Sequence, residues 1–196
     1  SRQDLPRQYR STELSVPVAS AAFGLVLFTS LIPFSFVTYP PLNDYPFHIA
    51  RSFILNSWND VPALQNLYDI QSFILPNMGM DFSLLLLGKL LPIQSAGRVF
   101  LALVFGLILS GCLYLHKTIH GRLSIWPLAS SFFLFNGILL FGFINYLFGI
   151  GLLLWAVALW IRAVPLAIPL RVLVGTLLST SLFFAHLVSV GLFAIV

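Results

Sequence analysis

Charged residues and cysteine are scarce in this chain, and each scarcity excludes a class of protein. Only 8% of the 196 residues are charged, 59% are hydrophobic and the mean hydropathy is +0.96, whereas about 25% of the residues in a soluble domain are charged. The single cysteine, Cys112, lies in an apolar run and provides neither a disulfide framework nor a cysteine metal site. Walker, GxSxG, HExxH and CxxC motifs are absent from the sequence. This composition predicts an integral membrane protein.

The ten cations outnumber the six acidic residues, but their positions indicate membrane topology, and no nucleic-acid partner is predicted. Seven of the ten cations lie in three loops between apolar runs. With a cytoplasmic N-terminus these seven fall inside and four of the six acidic residues fall outside, as the positive-inside rule expects. The seven are Arg2, Arg7, Arg10, Lys117, Arg122, Arg162 and Arg171.

Long apolar runs predict an all-α fold, a polytopic transmembrane helical bundle that forms a single domain over residues 1–196. The predicted spans lie at about 16–37, 98–115, 123–140, 145–161 and 172–187, with a further span starting by 196. The chain begins without Met and stops inside an apolar run, so we expect it to be the N-terminal part of a larger protein.

Residues 38–95 are predicted to form a long external loop bearing juxtamembrane helices. Within this loop, Met80–Leu91 is apolar but short and contains a lysine, which is typical of an interfacial helix and not of a span. Treating it as a span would also place four cations of the later loops outside. A tight turn at Gly142–Asn145 is predicted to divide the long apolar run 123–161.

The stretch Asn43–Trp58, NDYPFHIARSFILNSW, is the only place where several ionisable side chains lie together between long apolar runs. If a helix begins at Asp44, the side chains of Asp44, His48 and Arg51 fall at i, i+4 and i+7 and share one face. Asp44 is the candidate catalytic residue, either as a general base or as a group that binds a metal-held phosphate. The alternative for Asp44 is a helix N-cap on a solvated loop.

Two further candidates on this helix are predicted to bind substrate. His48 would orient a substrate or share a proton with Asp44, and its alternative is an ordinary interfacial histidine. Arg51 would donate two hydrogen bonds to a phosphate. The alternative for Arg51 is an ion pair with Asp44 or an extended side chain that reaches lipid headgroups.

The other two candidates for substrate binding come from later in the chain. Asn145, in the predicted outer turn, would hydrogen-bond a sugar or a carboxylate, or would be a turn residue with a satisfied amide. His186 is set in the apolar sequence STSLFFAHLVSV near the predicted outer face. Because an ionisable group is costly there, a functional role is a fair expectation, and the alternative is a packed histidine bonded to Ser181 or Ser189.

Four segments in order carry a family resemblance: NDYPFHIAR, PNMGMDFSLLLLGKLLPIQSAGR with the span that follows it, FNGILLFGFINYLFGIG, and TLLSTSLFFAHLVSVGLFAIV. This layout resembles the N-terminal half of the GT-C membrane glycosyltransferases, the group that includes protein O-mannosyltransferases and aminoarabinose transferases. In the outer turn, where that group usually has a second acidic residue, this chain has Asn145. His186 stands where the group often has a lysine.

The resemblance implies a glycosyltransferase that moves a sugar from a polyprenyl-phosphate-linked donor to an acceptor on the outer face of a bacterial inner (plasma) membrane. Asp44 would activate the acceptor, and Arg51 and His186 would hold the donor phosphate. The implied partners are membrane lipid and the lipid-linked sugar donor, while the sequence indicates no cofactor and leaves a divalent metal open.

The alternative function is that of a non-enzymatic polytopic protein, a transporter, a flippase or a scaffold. A transporter is expected to bury ionisable residues near the bilayer midplane, and a scaffold needs none of them arranged together. Convergence of the candidate side chains on one outward cavity would favour the transferase.

Overall fold

The computed structural model describes residues 13–70 and 75–196, and these residues form helices joined by short connections. Within them, four helices are long and apolar enough to cross a bilayer: α1, α5, α7 and α8. The predicted all-α membrane bundle is thereby confirmed. The helices are α1 Val16–Ser35, α2 Tyr45–Ser57, α3 Pro62–Leu67, α4 Gly79–Leu87, α5 Ile93–His120, a 3₁₀ helix Trp126–Phe133, α6 Gly137–Leu140, α7 Ile144–Ala163, α8 Ile168–Ala185 and α9 Leu187–Phe193.

Local signals explain where the long helices begin and end. α5 starts directly after Pro92 and ends at Gly121, which adopts the left-handed conformation typical of a helix C-terminus (φ 69°). α8 starts ahead of the predicted span because Pro169 lies in its first turn, where the missing N–H of proline is harmless. In the predicted external loop, the helix predicted over Met80–Leu91 is the short helix α4, which begins at Gly79 and ends at Leu87.

The continuous helix predicted over 123–140 is wrong. In its place the chain forms the 3₁₀ helix and then the single turn α6. Asn136 interrupts the helix because its backbone is extended and its side chain accepts a hydrogen bond from the N–H of Leu139, which starts α6 afresh. A 3₁₀ helix rises about 2 Å per residue, so this segment covers more distance than an α-helix of the same length.

Helices α5 and α7 run parallel to each other, and this explains why the segment between them must traverse the bundle. The ring of Phe100 lies 5.2 Å from that of Phe148, and further along both helices Tyr114 stacks on Trp155 at 4.5 Å. The contacts therefore advance in the same direction on both helices. Two consecutive parallel helices require a return connection, and residues 121–143 provide it.

Backbone hydrogen bonds at both ends of the return segment show that it joins opposite ends of the bundle. At one end the N–H of Leu14, just before α1, donates to the C=O of Leu123 (3.1 Å). At the other end the N–H of Asn43, well after α1, donates to the C=O of Leu140 (3.0 Å).

The two ends of the bundle differ in net charge. One end, called here the basic end, carries four cations at the helix termini and connections: Lys117, Arg122, Arg162 and Arg171. The other end, called the loop end, carries α2, α3 and α4 and four carboxylates: Asp44, Asp60, Asp69 and Asp81. The loop end also carries the cations Arg51, Lys89 and Arg98. Arg2, Arg7 and Arg10 lie outside the described residues.

Gly142 forms the turn between α6 and α7 and fits directly against the start of α2. Its φ is +81°, and a Cβ there would lie 2.5 Å from the backbone nitrogen of Asp44. The same Asp44 N–H donates to the C=O of Phe141 (3.1 Å). A side chain at position 142 would therefore strain its own backbone and also displace the residues that lead into α2.

We expect Gly142→Ala to lower the free energy of unfolding by about 1–3 kcal/mol, measured by thermal unfolding of the full chain in detergent. Gly121→Ala is the matched control, because Gly121 has a similar φ of +69° but open space around its Cβ position. Equal losses in the two variants would show that backbone strain alone accounts for the effect and that the contact with Asp44 contributes nothing.

Candidate functional site

A cavity of about 470 Å³ lies at the loop end of the bundle, between α2, the segment before α4, the start of α7 and the junction of α8 and α9. This volume falls within the range of small-molecule sites. Four of the five predicted site residues line it, and Asp44 does not. The lining residues are His48, Arg51, Leu75, Pro76, Asn77, Met78, Phe143, Asn145, Tyr146 and His186.

Packing of α2 against α5 turns His48 and Arg51 towards the cavity. The buried face of α2 consists of Tyr45, Ile49 and Ser52. It fits against Gly97 of α5, where a Cβ would collide with the side chains of Tyr45 and Ile49. His48 and Arg51 each come one position before a residue of this buried face. Their side chains therefore lie on the adjacent face of α2, which borders the cavity.

Asp44 is the N-cap residue of α2, and its backbone C=O accepts hydrogen bonds from the N–H groups of Phe47 and His48. The predicted N-cap position of Asp44 is confirmed, but its side chain makes no capping hydrogen bond. Its Oδ1 accepts a hydrogen bond from Asn43 Nδ2 (3.3 Å). Its carboxylate precedes His48 by one helical turn, and its charge opposes in small part the lowering of the pKa of that imidazole by burial. Asp44 thus sits beside the cavity, next to one of its lining side chains.

Asp81, in the first turn of α4, is the charged residue that sequence reasoning missed. Its side chain is 1% exposed, and neither carboxylate oxygen accepts a hydrogen bond from a residue in the described ranges. Its Oδ2 lies 3.5 Å from Nη1 of Arg51, whose side chain is 52% exposed. The predicted alternative for Arg51, an ion pair with Asp44, is wrong, since Asp81 is the partner.

Burial determines the protonation of this group of side chains. It raises the pKa of Asp81 above the ordinary value of 3.8, although the charges of Arg51 and His48 oppose the shift. Burial also lowers the pKa of His48 below 6.5, with Arg51 adding to this effect and Asp81 and Asp44 opposing it. At neutral pH we therefore expect a neutral His48, which can both accept and donate a proton.

Asn145 joins the segment before α4 to the start of α7. It was predicted to lie in the turn before the span, but it lies in the first turn of α7. Its Oδ1 accepts a hydrogen bond from the backbone N–H of Met80 (2.7 Å), in a buried position. The carbonyl oxygen is thus committed to the fold, and the amide NH₂ is the part of Asn145 left for a ligand.

A second asparagine, Asn77, fastens the same segment to the α8–α9 junction. Its backbone is left-handed (φ 64°), and its Oδ1 accepts a hydrogen bond from the N–H of Leu187 (2.8 Å). The neighbouring N–H of Met78 donates to the C=O of Phe184 (2.8 Å). These bonds hold one wall of the cavity against the residues that carry His186.

His186 has a defined tautomer. Its Nδ1 accepts a hydrogen bond from the N–H of Val188 (3.3 Å) at the start of α9, so the ring proton resides on Nε2. Burial lowers the pKa of His186, which keeps the ring neutral at pH 7. Its predicted alternative partners are wrong, since the Ser181 hydroxyl donates to Leu177 and the Ser189 hydroxyl has no partner in the described ranges.

Tyr146 is the other lining residue that the sequence did not single out. Its ring meets the ring of His186 edge to face at 5.3 Å. Nothing in the pattern around Tyr146 distinguishes it from the other aromatic residues of this apolar run. Asp81 did have a signal, because a carboxylate inside the apolar sequence MGMDFSLLLL is costly unless it has a role.

The lining side chains of this cavity suit an anionic group. The guanidinium of Arg51, the Nε2–H of His186 and the amide of Asn145 are hydrogen-bond donors, and no carboxylate lines the cavity among the described residues. The described residues also contain no group of three or more His, Cys, Asp or Glu side chains that could hold a metal ion.

Comparisons with known proteins give no match for this chain, whether with protein-family models, curated proteins or solved structures.

Proposed function

We propose that this chain belongs to a membrane glycosyltransferase that takes a sugar from a polyprenyl-phosphate-linked donor. One observation carries the proposal: His48, Arg51, Asn145 and His186, from three separate parts of the chain, line a single cavity at the end of the bundle. A site at the end of a membrane bundle suits a lipid-linked substrate, because the lipid tail remains in the bilayer while the phosphate and sugar reach the cavity.

The hydrogen-bond donors that line the cavity have the chemistry that such a reaction needs. Cleavage of the bond between sugar and phosphate leaves negative charge on the phosphate, and Arg51 and the Nε2–H of His186 stabilise that charge. The amide of Asn145 would bind a sugar hydroxyl. Asp44, beside His48 at the edge of the cavity, is the proposed base that activates the acceptor.

The charge distribution supports an orientation for the site. Four cations lie at the basic end, and cytoplasmic loops of membrane proteins are enriched in Lys and Arg. The basic end is therefore the proposed cytoplasmic end, and the cavity opens on the opposite side of a bacterial plasma membrane. A transporter would be expected to place such residues near the middle of the spans, whereas these four lie in or beside the loop end.

The test is transfer of radiolabel from polyprenyl-phosphate sugars in membranes that contain the full-length protein, with wild type beside His186→Asn. Asparagine keeps an acceptor near the position of Nδ1, which caps α9, and removes the Nε2–H. We expect wild type to transfer label from at least one donor and the variant to be about tenfold or more slower, since a hydrogen bond to a charged group contributes about 1.5–3 kcal/mol.

Two results would contradict the proposal. One is the absence of transfer by wild type with every donor tested. The other is equal transfer by wild type and His186→Asn at equal expression, which would remove His186 from the site.

A further inference from the structure

A second cavity lies at the basic end of the bundle, far from the one described above. It is a groove of about 380 Å³ between α1, α5 and α7. Its walls are mostly apolar, with two serines, a tyrosine and a lysine among them. The lining residues are Val16, Ala19, Ser20, Phe23, Ser110, Leu113, Tyr114, Lys117, Leu123 and Trp155.

The floor of this groove is held in place by a chain of contacts that ends at a cation. Trp155 Nε1 donates a hydrogen bond to the hydroxyl of Ser110 (3.1 Å), and the indole ring stacks on Tyr114. On Tyr114, in turn, lies the guanidinium of Arg162, 5.9 Å from the centre of the ring. Arg162 is thus brought to the same end of the groove as Lys117.

The groove therefore combines an apolar channel between membrane-spanning helices with one lining cation, Lys117, and with a second cation, Arg162, that lies on the ring of the lining residue Tyr114. No carboxylate lines it among the described residues, and Glu13 is the acidic residue described at this end of the bundle. Basic pockets between spans on the cytoplasmic side are suited to anionic lipid headgroups. An acyl chain matches the apolar walls, and a phosphate matches Lys117 and Arg162.

We propose that this groove binds an anionic phospholipid of the surrounding membrane, with one acyl chain between α1, α5 and α7 and its phosphate between Lys117 and Arg162. The site is independent of the cavity at the loop end and of any transferase activity. Its occupant is a component of the bilayer and not a reactant.

The experiment measures binding of phosphatidylglycerol and phosphatidylcholine to the full chain in detergent by native mass spectrometry. We expect phosphatidylglycerol to bind more tightly. Lys117→Gln and Arg162→Gln should each weaken its binding about fivefold, because each cation contributes about 1 kcal/mol near a charged lipid. Arg171→Gln is the matched control, since Arg171 lies at the same end of the bundle but on α8, a helix that contributes no residue to the groove, whereas Arg162 lies on the lining residue Tyr114.

A variant that fills the groove separates the apolar contribution from the charge. Ser20→Phe should weaken binding of both lipids at an unchanged net charge, and it keeps the proposal testable if a charge variant fails to fold. Equal binding of the two lipids by wild type would overturn the proposal, as would an Arg171→Gln variant as weak as Lys117→Gln.

Discussion

Asp44→Asn is expected to reduce sugar transfer by about 10²–10⁴-fold, the contribution of a positioned general base. The substitution preserves size and keeps an oxygen that Asn43 Nδ2 can reach, so the start of α2 should retain its structure. Because Asp44 does not line the cavity that is proposed to hold the donor phosphate, we expect a lower kcat with little change in the KM for donor. The measurement is radiolabel transfer at varied donor concentration in membranes with equal expression.

The matched control for Asp44→Asn is Asp69→Asn, which removes another carboxylate of the loop end from an exposed position. We expect this control to transfer sugar as wild type does. Equal activity of Asp44→Asn and wild type would remove Asp44 from the mechanism. A loss that appears in the KM alone would instead mean that Asp44 helps to bind the donor.

Arg51→Gln is expected to affect both stability and function, because it leaves the buried Asp81 without its ion pair. An unpaired buried polar group costs about 1–3 kcal/mol, and a charged one costs more. The half-exposed position of Arg51 lets water offset part of this loss. Binding of the sugar donor should also weaken, since Arg51 is the one Lys or Arg side chain among the described residues that line the cavity.

The double variant Arg51→Gln/Asp81→Asn separates these two effects. With the buried charge removed, the free energy of unfolding should recover towards wild type, while donor binding should remain as weak as in Arg51→Gln. The measurements are thermal unfolding in detergent and the KM for donor. Failure of Asp81→Asn to restore stability would show that the 3.5 Å ion pair contributes nothing. Recovery of donor binding along with stability would remove Arg51 from the binding site.

The stability loss in Arg51→Gln should also depend on pH. Burial raises the pKa of Asp81 in the folded chain above 3.8, and loss of the Arg51 charge raises it further. A raised carboxylate pKa stabilises the folded state most at low pH, and that contribution is lost as the pH rises through the folded pKa. The difference between Arg51→Gln and wild type should therefore grow as the pH rises from the ordinary range of a carboxylic acid through the raised pKa of Asp81, and it should not change with pH in the double variant.

The class of fold and four of the ten residues that line the cavity at the loop end could be predicted from the sequence. In lipid, an apolar run of about 20 residues must pair its backbone N–H and C=O groups internally, and a helix does so within the run itself. The helices α1, α5, α7 and α8 lie where those runs are. His48 and Arg51 were found because a helix places residues three apart on one face. Asn145 was found because it lies in the predicted outer turn, and His186 because an ionisable group is costly in apolar sequence.

Tertiary structure decided the features that depend on contacts between distant parts of the chain. Asp81 pairs with Arg51, 30 positions earlier, and no local pattern distinguishes that partner from the nearer Asp44. The break at Asn136 is different, because its cap is a local contact that outweighs an apolar run favouring a helix. Local periodicity reports which face of a helix is apolar, whereas the partner of a buried charge is set by the packing of α2 on α4 and α5.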